Sequence, residues 1–175
     1  MLLKGYKKEI FQPKVNPQFE ALHCIAHLEN DIREVIPYLN TVLGGTSYQK
    51  SPPSVMFHVN GRLIAVHPKK IAINALKDEE EAEKILQWLM REINETWEKR
   101  HEIEPSENIA EKPKIIEVLK RLPKTNCGEC GHPTCMVFSS MVIQGINGPE
   151  QCPPLDDNNR QSLEEYLGRF HFIDI

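Results

Sequence analysis

The sequence predicts an α+β protein: a small antiparallel sheet covered by helices over residues 1–105, followed by a small helical domain over residues 106–175. Three observations predict it. Asn60-Gly61 stands between alternating apolar residues, the pattern of a hairpin with a two-residue turn. Two stretches, 31–45 and 78–100, carry apolar residues at helical spacing. Between residues 101 and 113 that periodicity lapses around two prolines, and beyond the lapse cysteines and glycines concentrate.

Taken in order, "FEALHCIAHL" (Phe19 to Leu28) reads as a strand with Leu22, Cys24, Ala26 and Leu28 on one face, a short apolar helix being the alternative. In "NDIREVIPYLNTVLGG", Asp31 with Glu34 three positions on has the form of a capping box. Val35, Ile36, Leu39, Val42 and Leu43 follow at helical spacing, and Gly44-Gly45 stops the run. Pro37 either kinks this helix or marks its true start. "SVMFHVNGRLIAVHP" is the hairpin, and a two-residue turn sets Val59 opposite Arg62, Phe57 opposite Ile64 and Val55 opposite Val66. "KIAINAL" supplies a further strand through Ile71 and Ile73. Asp78 with Glu81 opens a second capping box, and Ala82, Ile85, Leu86, Leu89, Ile93 and Trp97 mark a helix to about Arg100. The expected sheet has three or four strands under two helices. In the C-terminal part, short helices are expected at Lys114–Leu122, Cys135 to about Gln144, and Asp157 to Leu167, the last two stopped by Gly145 and Gly168.

At 175 residues the chain can bury a core without covalent staples, so its five cysteines are not needed as a scaffold. No charged-then-apolar leader opens the sequence and no apolar run reaches the length of a membrane span, so the expectation is a cytoplasmic protein with reduced thiols. The net charge of -4, with basic residues interspersed among acidic ones, argues against a nucleic-acid partner.

"LPKTNCGECGHPTCMVFSS" holds Cys127, Cys130 and Cys135, and with Cys152 in "EQCPPL" it completes C-x2-C-x4-C-x16-C. Cys127 and Cys130 are close enough for two sulfurs to share one metal centre, and Gly128 and Gly131 let the backbone wrap it with amides aimed inward. Pro133-Thr134 reads as a helix start, which places Cys135 in a first helical turn, where negative charge is favoured. Ten helical residues climb about 15 Å and the seven residues 145–151 reach roughly 23 Å when extended, so Cys152 is able to return to the other three. Four thiolates at these offsets suit a cubane iron–sulfur cluster. Zinc is the competing metal, although zinc ribbons usually show two C-x2-C knuckles where this chain has one. Redox use of Cys127 and Cys130 alone would leave Cys135 and Cys152 unexplained.

"LPKTNCGECGHPTCMVFSSMVIQG" followed by "CPPL" resembles the four-cysteine [4Fe-4S] domain found in the large subunit of the corrinoid/iron–sulfur protein of acetyl-CoA decarbonylase/synthase and in the cluster subunit of ion-pumping electron-transport complexes. The resemblance covers Leu122 to Leu155, about a quarter of the chain. It implies that Cys127, Cys130, Cys135 and Cys152 ligate a [4Fe-4S] cluster, and that the protein carries single electrons at low potential for a larger redox partner. A corrinoid protein or methyltransferase is the partner class it suggests. It brings no cobalamin site with it. Where relatives often have alanine, this sequence has Ser139, a small-for-small change. The expectation from another class is a regulatory or assembly module in which zinc or a redox-silent cluster only orders the fold.

Other residues have plainer readings. His23, Cys24 and His27 look like a metal triplet, but on a strand the two histidines stand about 13 Å apart and Cys24 faces the other way. His58 and His67 are expected as partly exposed strand residues. His132, between two cysteines, is expected to be exposed or to tune the centre, Lys124 to be solvated, and Trp88 and Trp97 to pack. Linear order places no serine–histidine–acid grouping, phosphate loop or paired-carboxylate motif, so nothing in the sequence requires substrate chemistry, and an electron-transfer protein is expected ahead of an enzyme.

Overall fold

The computed structural model describes residues 1–13, 21–173 and 175; Phe19 and Glu20 of the expected first strand lie outside the described residues. The chain divides into two compact units, one of Met1–His58, Arg62–Ala110 and Ile175, the other of Val59–Gly61 and Glu111–Asp174.

The first unit is α+β. Its sheet runs β1 (Tyr6–Phe11), β2 (Leu22–Leu28), β3 (Ser47–Lys50), β4 (Pro53–Val59), β5 (Arg62–His67) and β6 (Lys70–Leu76), in the spatial order β1-β2-β6-β5-β4-β3. Six strands replace the expected three or four. β1 and β3 form the two edges, and neither carries a clear apolar alternation.

The hairpin turn is as expected, with Asn60 and Gly61 at φ 46° and 76°, both in the region a I′ turn requires. Cross-strand rows build the core: Cys24, Ile73 and Ile64 lie side by side, as do Ala26, Ile71 and Val66, and all six are buried. Leu76 would fall on the opposite face if β6 kept its alternation. Pairing of Cys24 with Ile73 but Leu22 with Leu76 shows one extra residue in β6, and Ala75 at φ 59° absorbs it as a bulge that turns Leu76 inward.

Two helices, α1 (Ile36–Leu43) and α2 (Glu79–Glu98), accompany the sheet, with α2 against β2 and β6. Asp78 caps α2 by accepting from the Glu81 amide at 2.8 Å, and Glu81 reaches back to the Lys77 amide at 2.6 Å, a cap worth about 1 kcal/mol. The capping box expected at Asp31 and Glu34 does not form. Asp31 instead accepts from the amide and guanidinium of Arg33, and Pro37 sits in the first turn of α1, which makes it the true start. Trp88 packs edge-on to Phe57, and Arg100 lies over the Trp97 ring at 4.1 Å. Residues 104–110 are held to this unit: Thr41 Oγ1 donates to Glu104 O, the Ser106 amide to Pro37 O, and the Ala110 amide to Gly45 O.

The second unit holds α3 (Ile115–Lys120), α4 (Cys135–Ile143), a 3-10 turn (Pro149–Gln151) and α5 (Asp157–Leu167). Val118, Leu122, Phe138, Val142 and Leu163 form its core, with Tyr166 beside them. Tyr166 accepts from the Lys114 amide at 2.9 Å, while the Arg121 guanidinium lies 4.6 Å above its ring and donates to Ser162 Oγ, so α3 and α5 are tied by polar contacts as well. Among the described residues no helix is long and apolar enough to cross a membrane.

Candidate metal centre

Four of the five cysteines meet. Cys127, Cys130, Cys135 and Cys152 border one concavity, along with Asn126, Gly128, His132, Thr134 and Phe138. All are free thiols. Their exposure is graded: Cys127 is at the surface, Cys130 and Cys135 are half-buried, and Cys152 is 5% exposed. Cys130, Cys135 and Cys152 also touch the apolar core of the second unit, so the site's inner wall is continuous with that core.

The backbone explains how nine residues bring three sulfurs together. Lys124, Asn126, Gly128 and Gly131 all have positive φ, at 61°, 51°, 76° and 81°, so the chain winds tightly before it enters α4. Thr134 then caps α4 by accepting from the Val137 amide, and Cys135 is the first helical residue, as its sequence context predicts. The return of Cys152 is made by Gly145 at φ 73°, which ends α4, and by the 3-10 turn at Pro149.

Two backbone amides beside the centre, that of Gly131 expected to face it, are committed elsewhere. The Cys135 amide donates to Asn126 Oδ1 at 2.8 Å, and the Gly131 amide donates to Gly128 O at 2.9 Å. Asn126 is thus a site residue that the sequence reading missed. The available signal was an asparagine, tolerant of positive φ, directly before the first cysteine. Asn147 and Gln151 were missed as well. They form a polar chain with His132, whose Nε2 lies 3.0 Å from Asn147 Oδ1, so His132 is neither simply exposed nor turned to solvent.

Burial, and after it the neighbouring Cys130, Cys135 and Cys127, push the Cys152 thiol above its usual range. Among the described residues no three histidine, cysteine or acidic side chains are grouped at the spacing of a single metal ion. Cys24 is separate, buried in β2 with burial raising its thiol. Because β2 is a strand, His23 lies against Phe11 and His27 beside Glu9, away from Cys24. Lys124 is exposed, and Ser139 is buried with its hydroxyl donating to Cys135 O at 2.8 Å.

Residues 122–154 match a family model described as "Putative Fe-S cluster". This segment is similar to an iron–sulfur cluster family. Over 40 residues the chain is 58% identical to acetyl-CoA decarbonylase/synthase complex subunit gamma 2 of Methanosarcina thermophila, covering 23% of this chain and 8% of that subunit. It is 44% identical over 52 residues to the gamma subunit of Methanopyrus kandleri, covering 30% and 11%. The corrinoid/iron-sulfur protein large subunit of Moorella thermoacetica is 43% identical over 49 residues, covering 28% and 11%. The chain therefore spans only about a tenth of the length of these relatives, and the likeness covers 23–30% of its own residues. No solved structure matches the chain.

The motif's glycines have a testable role. A Cβ on Gly131 would meet nothing within 4 Å, so the cost of substitution there lies in the backbone alone. Gly131→Ala should cost about 1 kcal/mol and Gly131→Val distinctly more, because a β-branched residue tolerates positive φ least. Hydrogen exchange of the α4 amides in the two variants is the measurement, and equal protection in both would mean the turn is not held at this φ.

Proposed function

We propose that the iron–sulfur motif holds a [4Fe-4S] cluster through Cys127, Cys130, Cys135 and Cys152, and that the protein is a cytoplasmic, low-potential one-electron carrier for a larger redox protein. The observation that carries the reading is the donor set: four free thiols, Cys127, Cys130, Cys135 and Cys152, border one concavity, and the fifth cysteine, Cys24, is not among its lining residues. A single zinc would draw four sulfurs to about 2.3 Å from one point. When bound, the cluster would supply a one-electron couple.

The chain's residues divide the remaining work. Cys152, Cys135 and Cys130 anchor the site to the apolar core, which keeps water from its inner side. Cys127 and its neighbours from Lys124 to Glu129 lie at the surface, giving a partner close approach on that side. Three relatives are named as subunits of a decarbonylase/synthase complex or as a corrinoid/iron-sulfur protein, which favours a corrinoid protein or methyltransferase as the partner. The first unit supplies docking surface or binds a ligand.

Anaerobic reconstitution tests the reading. Equal iron and sulfide near four per chain, with a paramagnetic resonance signal that appears on reduction, is the expected result. A colourless zinc protein or a redox-silent centre would instead give the metal only an ordering role.

A further inference from the structure

We infer that His132 is a positioning residue: through Asn147 and Gln151 it fastens the turn that returns Cys152 to the loop that carries Cys127 and Cys130. The inference rests on the reading of the four cysteines as one ligand set, but it makes a separate claim about the metal-free chain.

The argument starts from a donor without ambiguity. The Gly148 amide donates to Gln151 Oε1 at 2.9 Å, so that atom is an acceptor oxygen. Asn147 Nδ2 stands 2.6 Å from the same oxygen and must donate to it. Asn147 Oδ1 is then the acceptor facing His132, and His132 Nε2, 3.0 Å away, carries a hydrogen. Each assignment forces the next, so the imidazole is held in one tautomer by a backbone group sixteen positions further along the chain.

Geometry gives this chain its purpose. Gln151 immediately precedes Cys152, the Gln151 amide donates to Gly148 O at 3.1 Å, and the Cys152 amide donates to Pro149 O at 3.2 Å, so the turn and the cysteine move as one piece. At its other end His132 lies two residues beyond Cys130, borders the concavity, and packs its ring 5.8 Å from that of Phe138 in α4. Without the His132 contact, the seven residues 145–151 would have two glycines and no side chain of the Cys127–Cys135 loop holding them by a described hydrogen bond.

Labelling separates this from a general packing role. In the reduced, metal-free chain, alkylation mapped by mass spectrometry should show Cys152 reacting about five to ten times faster, relative to Cys127, in His132→Ala, the gain expected when one hydrogen bond closing a local opening is lost. His132→Gln, whose Nε2 donates from a similar position, should stay within about twofold of the parent. In the reconstituted protein, iron release to a chelator should accelerate by a similar factor in the alanine variant and not in the glutamine one. If His132→Ala exposes Cys130, Cys135 and Cys152 together, the residue is a general stability element and the inference falls. Unchanged ratios in a chain that does take up iron and sulfide overturn the inference and leave the functional reading intact. A parent chain that takes up neither overturns the functional reading, and the alkylation ratio then decides the inference alone.

Discussion

Cys135→Ser is expected to abolish stable cluster binding while leaving the first unit's stability within about 0.5 kcal/mol of the parent, since Cys135 belongs to the other compact unit. Serine nearly matches cysteine in size, so Thr134 can still cap α4 and Asn126 can still accept from the residue 135 amide. What changes is the donor. An alcohol oxygen is a hard, weakly acidic ligand where the site offers soft thiolates, and iron–sulfur centres are held by the latter. Cys135 also lies against the core of Val118, Phe138 and Val142, so metal binding and folding of the second unit share residues. Losing the metal should therefore cost that unit much of the binding free energy, which is folding free energy in small metal-ordered domains. The sequence supplies the separate probes needed to see this. Both tryptophans, Trp88 and Trp97, lie in α2, so tryptophan fluorescence follows the first unit, while visible absorption and iron content follow the second. A fluorescence midpoint that drops in step with iron content would overturn the separation into two units.

The elements that were legible in the sequence are those fixed by neighbours in the chain. Asn60-Gly61 makes its turn because both residues accept positive φ, and Asp78 caps α2 because its partner is three residues away. The spacing of Cys127, Cys130 and Cys135 likewise reports local winding. What stayed hidden depends on distant partners. β1 reads as charged because Lys8 faces Glu79 and Glu83 of α2, with Tyr6 hydrogen-bonded to the same Glu83 and its phenol raised to about 12 by burial and that bond. β3 is an edge strand with little to bury. Two polar residues that shape the candidate site, Asn126 and Asn147, look like ordinary loop residues until their partners nine and fifteen positions away are known. Asp31 gave a false signal for the converse reason: Arg33 is nearer to its carboxylate than any amide of a helix that Pro37 starts later.

Residues 101–113 lose hydrophobic periodicity because a different device holds part of them, and Asn40→Ala is expected to expose it at a cost of about 2 kcal/mol. Asn40 is 2% exposed in α1, and its Nδ2 donates to both Ser106 O, at 2.7 Å, and Asn108 O, at 2.9 Å. Its own carbonyl accepts from the Gly44 amide, and a Cβ on Gly45 would fall within 2.2 Å of Asn40 Oδ1, so the helix end is shaped around this side chain. Truncation to alanine removes two hydrogen bonds and leaves a cavity beside Val55. Asn40→Asp should be worse, about 3 kcal/mol, because a carboxylate would place negative charge against two carbonyl oxygens in a buried site. The effect has a location as well as a size. With Nδ2 gone, the segment after α2 is held by Thr41, Pro37, Gly45 and the exposed Lys50–Glu107 ion pair, the last worth little. Trypsin should then cut after Lys99 or Arg100 several times faster than in the parent, under conditions where tryptophan fluorescence still reports a folded sheet. Should fluorescence unfold earlier with no rise in cleavage in that segment, Asn40 stabilises the helix rather than the strap.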